Sequence, residues 1–407
     1  MSPRPHVAPP ERPKLRGDLI FAPAVERGEP CTYVRDPRTR RFFRLGESAR
    51  LAAQQMDGNA DCAAIAGRLS QQLDVSLPAE PIQALVEQLA KLGFLENGPP
   101  PPPVKRISGN AFYLVVPLID PERWLARLGW LWRALVSPVV AVAIALLVVG
   151  GLAVTAWWAW NGPLPTLGTL GAVDLIGFYL CVSLAVVGHE LAHAAALKRF
   201  GGEVHELGFL LLYLQPCFYC NVSDAYLLPR RSRLWVSFAG LYFELGAWGA
   251  ATLVAAALGT ANPVGRWALL VTTAIGLKSL LFNLNPLIKL DGYYLLVDLL
   301  ELPNLRQRAF GRLADTVGGW FGRAPKTRVH DQREARILLG YAAAASLFLL
   351  GLFALVSWRM LAVLRQPRLT VSTLLVTLVA LFLLIRAVRF VAGAWRGTSD
   401  DAALGAP

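Results

Sequence analysis

The stretch GHELAHAAALKRFGG, Gly188 to Gly202, decides how the rest of the chain is read. On a helix, His189 and His193 stand one turn apart on one face, with Glu190 beside them. Both imidazoles then reach one metal ion such as zinc, while the carboxylate faces a water on that metal. The hydropathy around this motif is unusual for such a site. The run from about Leu175 to Leu197 reads as membrane-spanning.

Composition agrees with a membrane location. The 407 residues are 55% hydrophobic and 17% charged, with a mean hydropathy of +0.44. An ordinary soluble chain of this length is less apolar. The net charge of +12 does not point to nucleic acid, because Lys and Arg flank apolar segments instead of alternating with aromatics. It reads as topology charge facing anionic lipid. Five scattered cysteines form no secreted-type framework, and Cys217-x-x-Cys220 has no second pair to complete a tetrahedral site. The lead MSPRPHVAPPERPKLRGD has no apolar core of a signal peptide, which places the first domain in the cytoplasm.

In chain order, residues 1–16 are too proline-rich to fold alone and read as a disordered lead. Residues 17–97 form a compact segment. Cys31 to Leu45 reads as a hairpin turning at Asp36-Pro37, followed by helices at Ser48 to Met56, Ala60 to Leu73 and Pro81 to Leu92 and a short strand at Phe94-Leu95. This is the pattern of a small α+β, winged-helix-like domain. A stiff proline linker, 98–110, leads to a polytopic α-helical membrane part of about six spans. These fall near Val136 to Trp160, Leu175 to Leu197, Leu234 to Leu258, Arg266 to Phe282, Ile337 to Leu361 and Val371 to Val391. The core occupies 111–300, a basic loop 301–336, and a hairpin with tail 337–407. Basic residues before the first span and after the second and fourth put those loops, and both termini, in the cytoplasm.

Ionisable residues inside spans are functional candidates. Besides His189, Glu190 and His193 there are Glu244 and, after the fourth span, Asp291. A catalytic zinc needs three protein ligands and an open position. Asp291 is the best carboxylate for the third, against the alternative of a helix-breaking turn residue. Glu244 has two open readings: pairing with Lys278 or a backbone donor, or a role in support of the site from behind or on the substrate path. His205 is a boundary residue or a substitute ligand. Leu207 to Leu214 is a re-entrant strand that pairs with substrate, or an interfacial segment.

H-E-x-x-H in a membrane helix, followed about a hundred residues later by Asn283-x-x-Pro286-x-x-x-x-Asp291-Gly292, resembles the site-2 protease family of intramembrane zinc metallopeptidases. The resemblance implies that His189, His193 and Asp291 bind Zn2+, that Glu190 is the general base, and that Asn283 assists at the substrate carbonyl. QPCFYCNVSDAYLLP, Gln215 to Pro229, is similar to a bacterial branch of peptide zinc metalloproteases, which implies an inner-membrane location. TYVRDPRTRRFFRLGESARLAAQQMDGNADCAAIAGRL resembles PqqD-like domains, which present leader peptides to modifying enzymes. That likeness implies a peptide-binding N-terminal domain, the bland reading being a packing or dimerising module. The expected partners are a peptide or transmembrane protein substrate, a leader peptide and the lipid bilayer. The alternative function is a non-catalytic zinc-binding membrane scaffold or peptide-export component.

Overall fold

The computed structural model describes residues 10–364 apart from 27–28, 40, 101–107, 111–112, 162–169, 213–214, 321 and 323–330. The chain divides into two compact units, one running through Ser279 and the other beginning at Leu280. The last expected span, Val371 to Val391, lies outside the described residues.

The first unit opens with a three-stranded antiparallel sheet, β1 (Ile20–Glu26), β2 (Glu29–Asp36) and β3 (Arg41–Gly46), ordered β1-β2-β3. Three helices follow: α1 (Glu47–Gln54), α2 (Cys62–Leu73) and α3 (Glu80–Leu92). The hairpin and all three helices fall where the sequence puts them. β1 is an addition to that reading; its Pro23 suits an outer strand, where a missing N–H breaks no ladder. The alternation of β2 explains the packing on both faces. Val34 enters the core with Ile65, Leu69, Val86, Leu89 and Phe94, while Tyr33 and Arg35 turn the other way, toward the membrane part.

The lead expected to be unstructured through Arg16 is ordered in its last residues. Leu15 bridges to Leu95, and the buried Arg16 donates to Gly93 O at 2.7 Å and to Asp36 at 2.7 Å. Proline content was the wrong guide here, because one buried guanidinium ties the lead to the turn. Arg16 also holds the Asp18 carboxyl down to about 2. Burial of Asp36 works to raise its pKa, but the Arg16 and Thr39 donors outweigh it and the net shift is downward. Both carboxyls therefore titrate lower in the folded domain than in the unfolded chain. They add stability above the ordinary Asp value of about 4, lost as pH falls toward about 2. Asp36→Asn is expected to cost on the order of 2 kcal/mol at neutral pH and to flatten the acid limb. An acid titration followed by circular dichroism checks this.

The membrane part of the first unit starts with β4 (Ser108–Asn110) and β5 (Tyr113–Ile119), then the short helices α4 (Glu122–Arg127) and α5 (Gly129–Leu135). Long helices α6 (Pro138–Asn161) and α7 (Ala172–Arg199) lead to β6 (Leu207–Leu212) and β7 (Gln215–Cys220). After a 3-10 turn at Ser223–Leu227 come α8 (Arg230–Leu258) and α9 (Pro263–Lys278). Strands β4-β5-β6-β7 form one antiparallel sheet in that order. The run beginning at Leu207 is thus a strand, with both edges taken by β5 and β7. In this arrangement β6 has no free edge for a further strand.

Among the described residues four helices are long and apolar enough to cross a membrane: α6, α7, α8 and the first 24 residues of the last helix. The α6 helix measures about 36 Å, longer than a bilayer's apolar core of about 30 Å. The segment expected as a fourth span, Arg266 to Phe282, differs. Its helix α9 has 16 residues, about 24 Å, and then widens into a π-helical turn at Ser279–Asn283.

The second unit contains α10 (Asp291–Leu300), α11 (Leu305–Gly319) and α12 (Gln332–Leu364). Its core gathers Tyr293, Leu302, Leu305, Ala309, Leu338 and Ala342. Buried Glu334 is satisfied by Arg308, so the stretch read as a basic loop is in part a packed helix.

Candidate metal centre

The i, i+4 spacing in α7 brings the two histidine rings together, and α8 fixes how they face. Nδ1 of His193 lies 2.7 Å from the carbonyl oxygen of Val236, so this nitrogen carries the proton and donates it. Nδ1 of His189 lies 3.0 Å from Oε1 of Glu244, a carboxylate that favours the proton on this nitrogen. In the tautomer that carries its proton on Nδ1, each ring presents an unprotonated Nε2. The two Nε2 atoms are 3.2 Å apart. Two lone pairs at that separation repel one another, and a cation between them removes the repulsion. The donor set and tautomers fit zinc, whose histidine ligands commonly use one nitrogen for the metal and the other for a carboxylate or carbonyl.

Glu244 is 1% exposed, and burial without partners would be costly. It has partners on both oxygens: Lys278 Nζ on Oε1 and Ser279 Oγ on Oε2. Glu244 thus pairs with Lys278, as one of its two readings in the sequence has it, and also stands 3.0 Å from Nδ1 of His189. The chain Lys278–Glu244–His189 fixes one imidazole and balances its carboxylate.

Gly240 is a site residue that motif reasoning missed. A Cβ built there would collide with Nε2 of both histidines. Only glycine leaves the space that the lone pairs share, and a bare glycine inside a hydrophobic helix carries no chemical signal.

Glu190 belongs to the same turn of α7 and is oriented by a strand. The amide of Cys220, at the end of β7, donates to its Oε2 at 2.9 Å. Strand parity explains why this amide is available. Asn221 N–H bonds back to Glu206 O at 2.9 Å, so the N–H of Cys220 points away from β6. Pro216, which has no N–H to offer, falls on the same outward set and costs the sheet nothing.

His205, held open as a substitute ligand, is engaged elsewhere. Arg35 of β2 lies 2.9 Å from its Nε2, 3.0 Å from Glu203 and 2.9 Å from Asp224. A guanidinium thus sits among the three groups. Tyr33 stacks on Tyr226 with ring centroids 5.6 Å apart, beside Arg233. The N-terminal sheet is fastened by these contacts to the segment that follows β7.

The remaining expected residues lie in the second unit. Asp291 is the first residue of α10, and Asn283 is buried at the end of the π-helical turn. The chain doubles back between them: a Cβ on Gly292 would stand 2.7 Å from Asn283 O. Asp291-Gly292 is therefore a tight packing corner as well as a helix start, and the glycine is required by that approach.

No family model matches the chain, and no solved structure matches it. Over 120 residues it is 33% identical to a Bacillus subtilis (strain 168) protein, YydH, named "Putative peptide zinc metalloprotease protein". The match covers 29% of this chain and 45% of that protein.

Two substitutions test the centre. Glu244→Gln removes the charge behind His189 and is expected to weaken zinc binding about 10- to 100-fold. Gly240→Ala fills the space between the rings and is expected to weaken it at least as much. Chelator competition against the purified protein measures both.

Proposed function

We propose that the chain is an intramembrane zinc metalloprotease that hydrolyses peptide bonds of membrane-embedded or membrane-delivered peptides. The observation that carries this reading is the pair of facing Nε2 atoms, 3.2 Å apart, with the Glu190 carboxylate on the same helical turn. The named similarity to a zinc metalloprotease supports it. Asp291 is proposed as the third ligand and Asn283 as the donor to the substrate carbonyl, supported by the N-x-x-P-x-x-x-x-D-G pattern.

Zinc, when bound, supplies an acidified water and polarises the scissile carbonyl. Glu190 would be the group that takes a proton from a water at the site and gives it to the leaving amine. The Cys220 amide keeps the carboxylate aimed during both transfers. Glu244 and Val236 hold the histidine tautomers, so neither ring takes the proton meant for Glu190. Apolar flanks on α7 and α8 keep bulk water away from the reacting groups.

The same reading places the protein in the bacterial inner membrane with both termini in the cytoplasm. The α9 helix with its π-helical turn and the segment at 371–391 would complete six crossings. The N-terminal sheet and helices form a winged-helix-like, PqqD-like module that captures an extended peptide, such as a leader, on a strand edge. Its fastening through Arg35 holds that module beside the hairpin that orients Glu190.

Glu190→Gln is expected to lower proteolysis about 10²- to 10⁴-fold while leaving zinc bound. Terminal-peptide profiling of membranes from cells expressing the wild type or Glu190→Gln checks this. New termini inside apolar segments in the wild type alone are expected; indistinguishable profiles would overturn the protease reading. Removing residues 1–103 separates two substrate routes: if cleavage of a membrane-embedded segment survives, delivery by the N-terminal module is dispensable.

A further inference from the structure

The helical elbow ahead of the first long span has one face against the protein and the other exposed. On the inner face, Leu125 and Trp132 pack into the cluster that holds Ala194 to Leu197 of α7. The Trp132 indole N–H donates to Leu125 O at 2.7 Å and closes the elbow. On the outer face, Trp124 is 70% exposed and Trp130 64%, joined by exposed Leu128 and Leu135. Between them stand Arg123, Arg127 and Arg133, all exposed and none ion-paired among the described residues.

Glu122, the acid of this stretch, turns the other way. It receives Lys198 Nζ and the Val204 N–H, the latter at 2.8 Å. The outer face is therefore indoles, leucines and arginines. Three residues past α5, Pro138 begins α6, so the face is continuous with a helix long enough to span. The elbow packs at the level of the last turns of α7, where a helix of that length leaves the apolar core.

We propose that this elbow is an in-plane anchor that seats on the headgroup layer of a bilayer containing anionic phospholipid. Indoles favour that layer because their rings are apolar and their N–H groups need a polar partner. Guanidinium groups pair with phosphate oxygens in a forked geometry that suits lipid headgroups. Apolar residues flanked by arginines on helices parallel to a surface are the signature of interfacial binding. A soluble partner would leave the continuity with α6 unexplained. The anchor also touches the site helix. Through Leu125, Trp132 and Glu122 it grips residues 194 to 198, the turn directly after His193, so lipid charge bears on how that helix is held.

The inference rests on the membrane placement and not on proteolysis. Its test uses the full chain in phosphatidylcholine nanodiscs, with and without a minority of phosphatidylglycerol. The melting temperature of the wild type is expected to rise when phosphatidylglycerol is added. A variant carrying Arg123→Gln, Arg127→Gln and Arg133→Gln is expected to keep less than half of that rise. An equal rise in both would overturn the proposal. Should the triple variant fail to fold, a second measurement stands by itself: fluorescence quenching by phosphatidylcholine brominated high on its acyl chains. The emission lost in Trp124→Phe/Trp130→Phe is expected to be the quenched part. If that emission is unquenched, the elbow faces water or another protein, and the proposal falls.

Discussion

Two imidazole nitrogens facing one another across 3.2 Å is the constraint from which much of the first unit follows. With both protons on the far side of the rings, the near sides are left to share a cation. Val236 O accepts from His193 Nδ1, Glu244 stands 3.0 Å from Nδ1 of His189, and both are on α8. α8 must therefore approach α7 closely enough for a side chain at position 240 to be forbidden. A carboxylate buried behind a histidine needs its own compensation, because an unpaired charge at that depth is expensive. Lys278 and Ser279, at the junction of α9 with its π-helical turn, provide it.

A second constraint is carried by backbone. The sheet draws β5 from ahead of the first long helix and β6-β7 from after the second. Its outermost strand gives up one amide to Glu190. The segment after that strand receives Arg35, Tyr33 and Phe42 from the N-terminal domain. Three separate stretches of chain thus converge on the hairpin that holds the carboxylate.

How much of this was legible in the sequence depends on what kind of atom does the work. His189, Glu190 and His193 announce themselves by helical spacing, and Glu244 by being a charge in a span. The hairpin at Asp36-Pro37 and helices α1 to α3 are written in turn residues and periodicity. By contrast, Val236 and Cys220 act through main-chain groups that every residue possesses, so no pattern marks them. Gly240 acts by lacking an atom. Strand β5, YLVVPLI, is an apolar run without alternation, which periodicity does not separate from the start of a membrane segment. Hydropathy alone puts a fourth span at Arg266 to Phe282; it counts apolar residues but does not see where a helix widens into a π-helical turn. The order of Lys14 to Arg16 comes from tertiary pairing, which overrides a proline-rich composition.

X-ray absorption at the zinc edge of the purified full-length protein tests the central claim most directly. The account predicts one zinc bound by two imidazoles at about 2.0–2.1 Å, with oxygen completing the shell. The Asp291→Ala variant is predicted to lose one oxygen or the metal. Sulfur in the shell, a closed set of four protein ligands, or protein that takes up no zinc would contradict it.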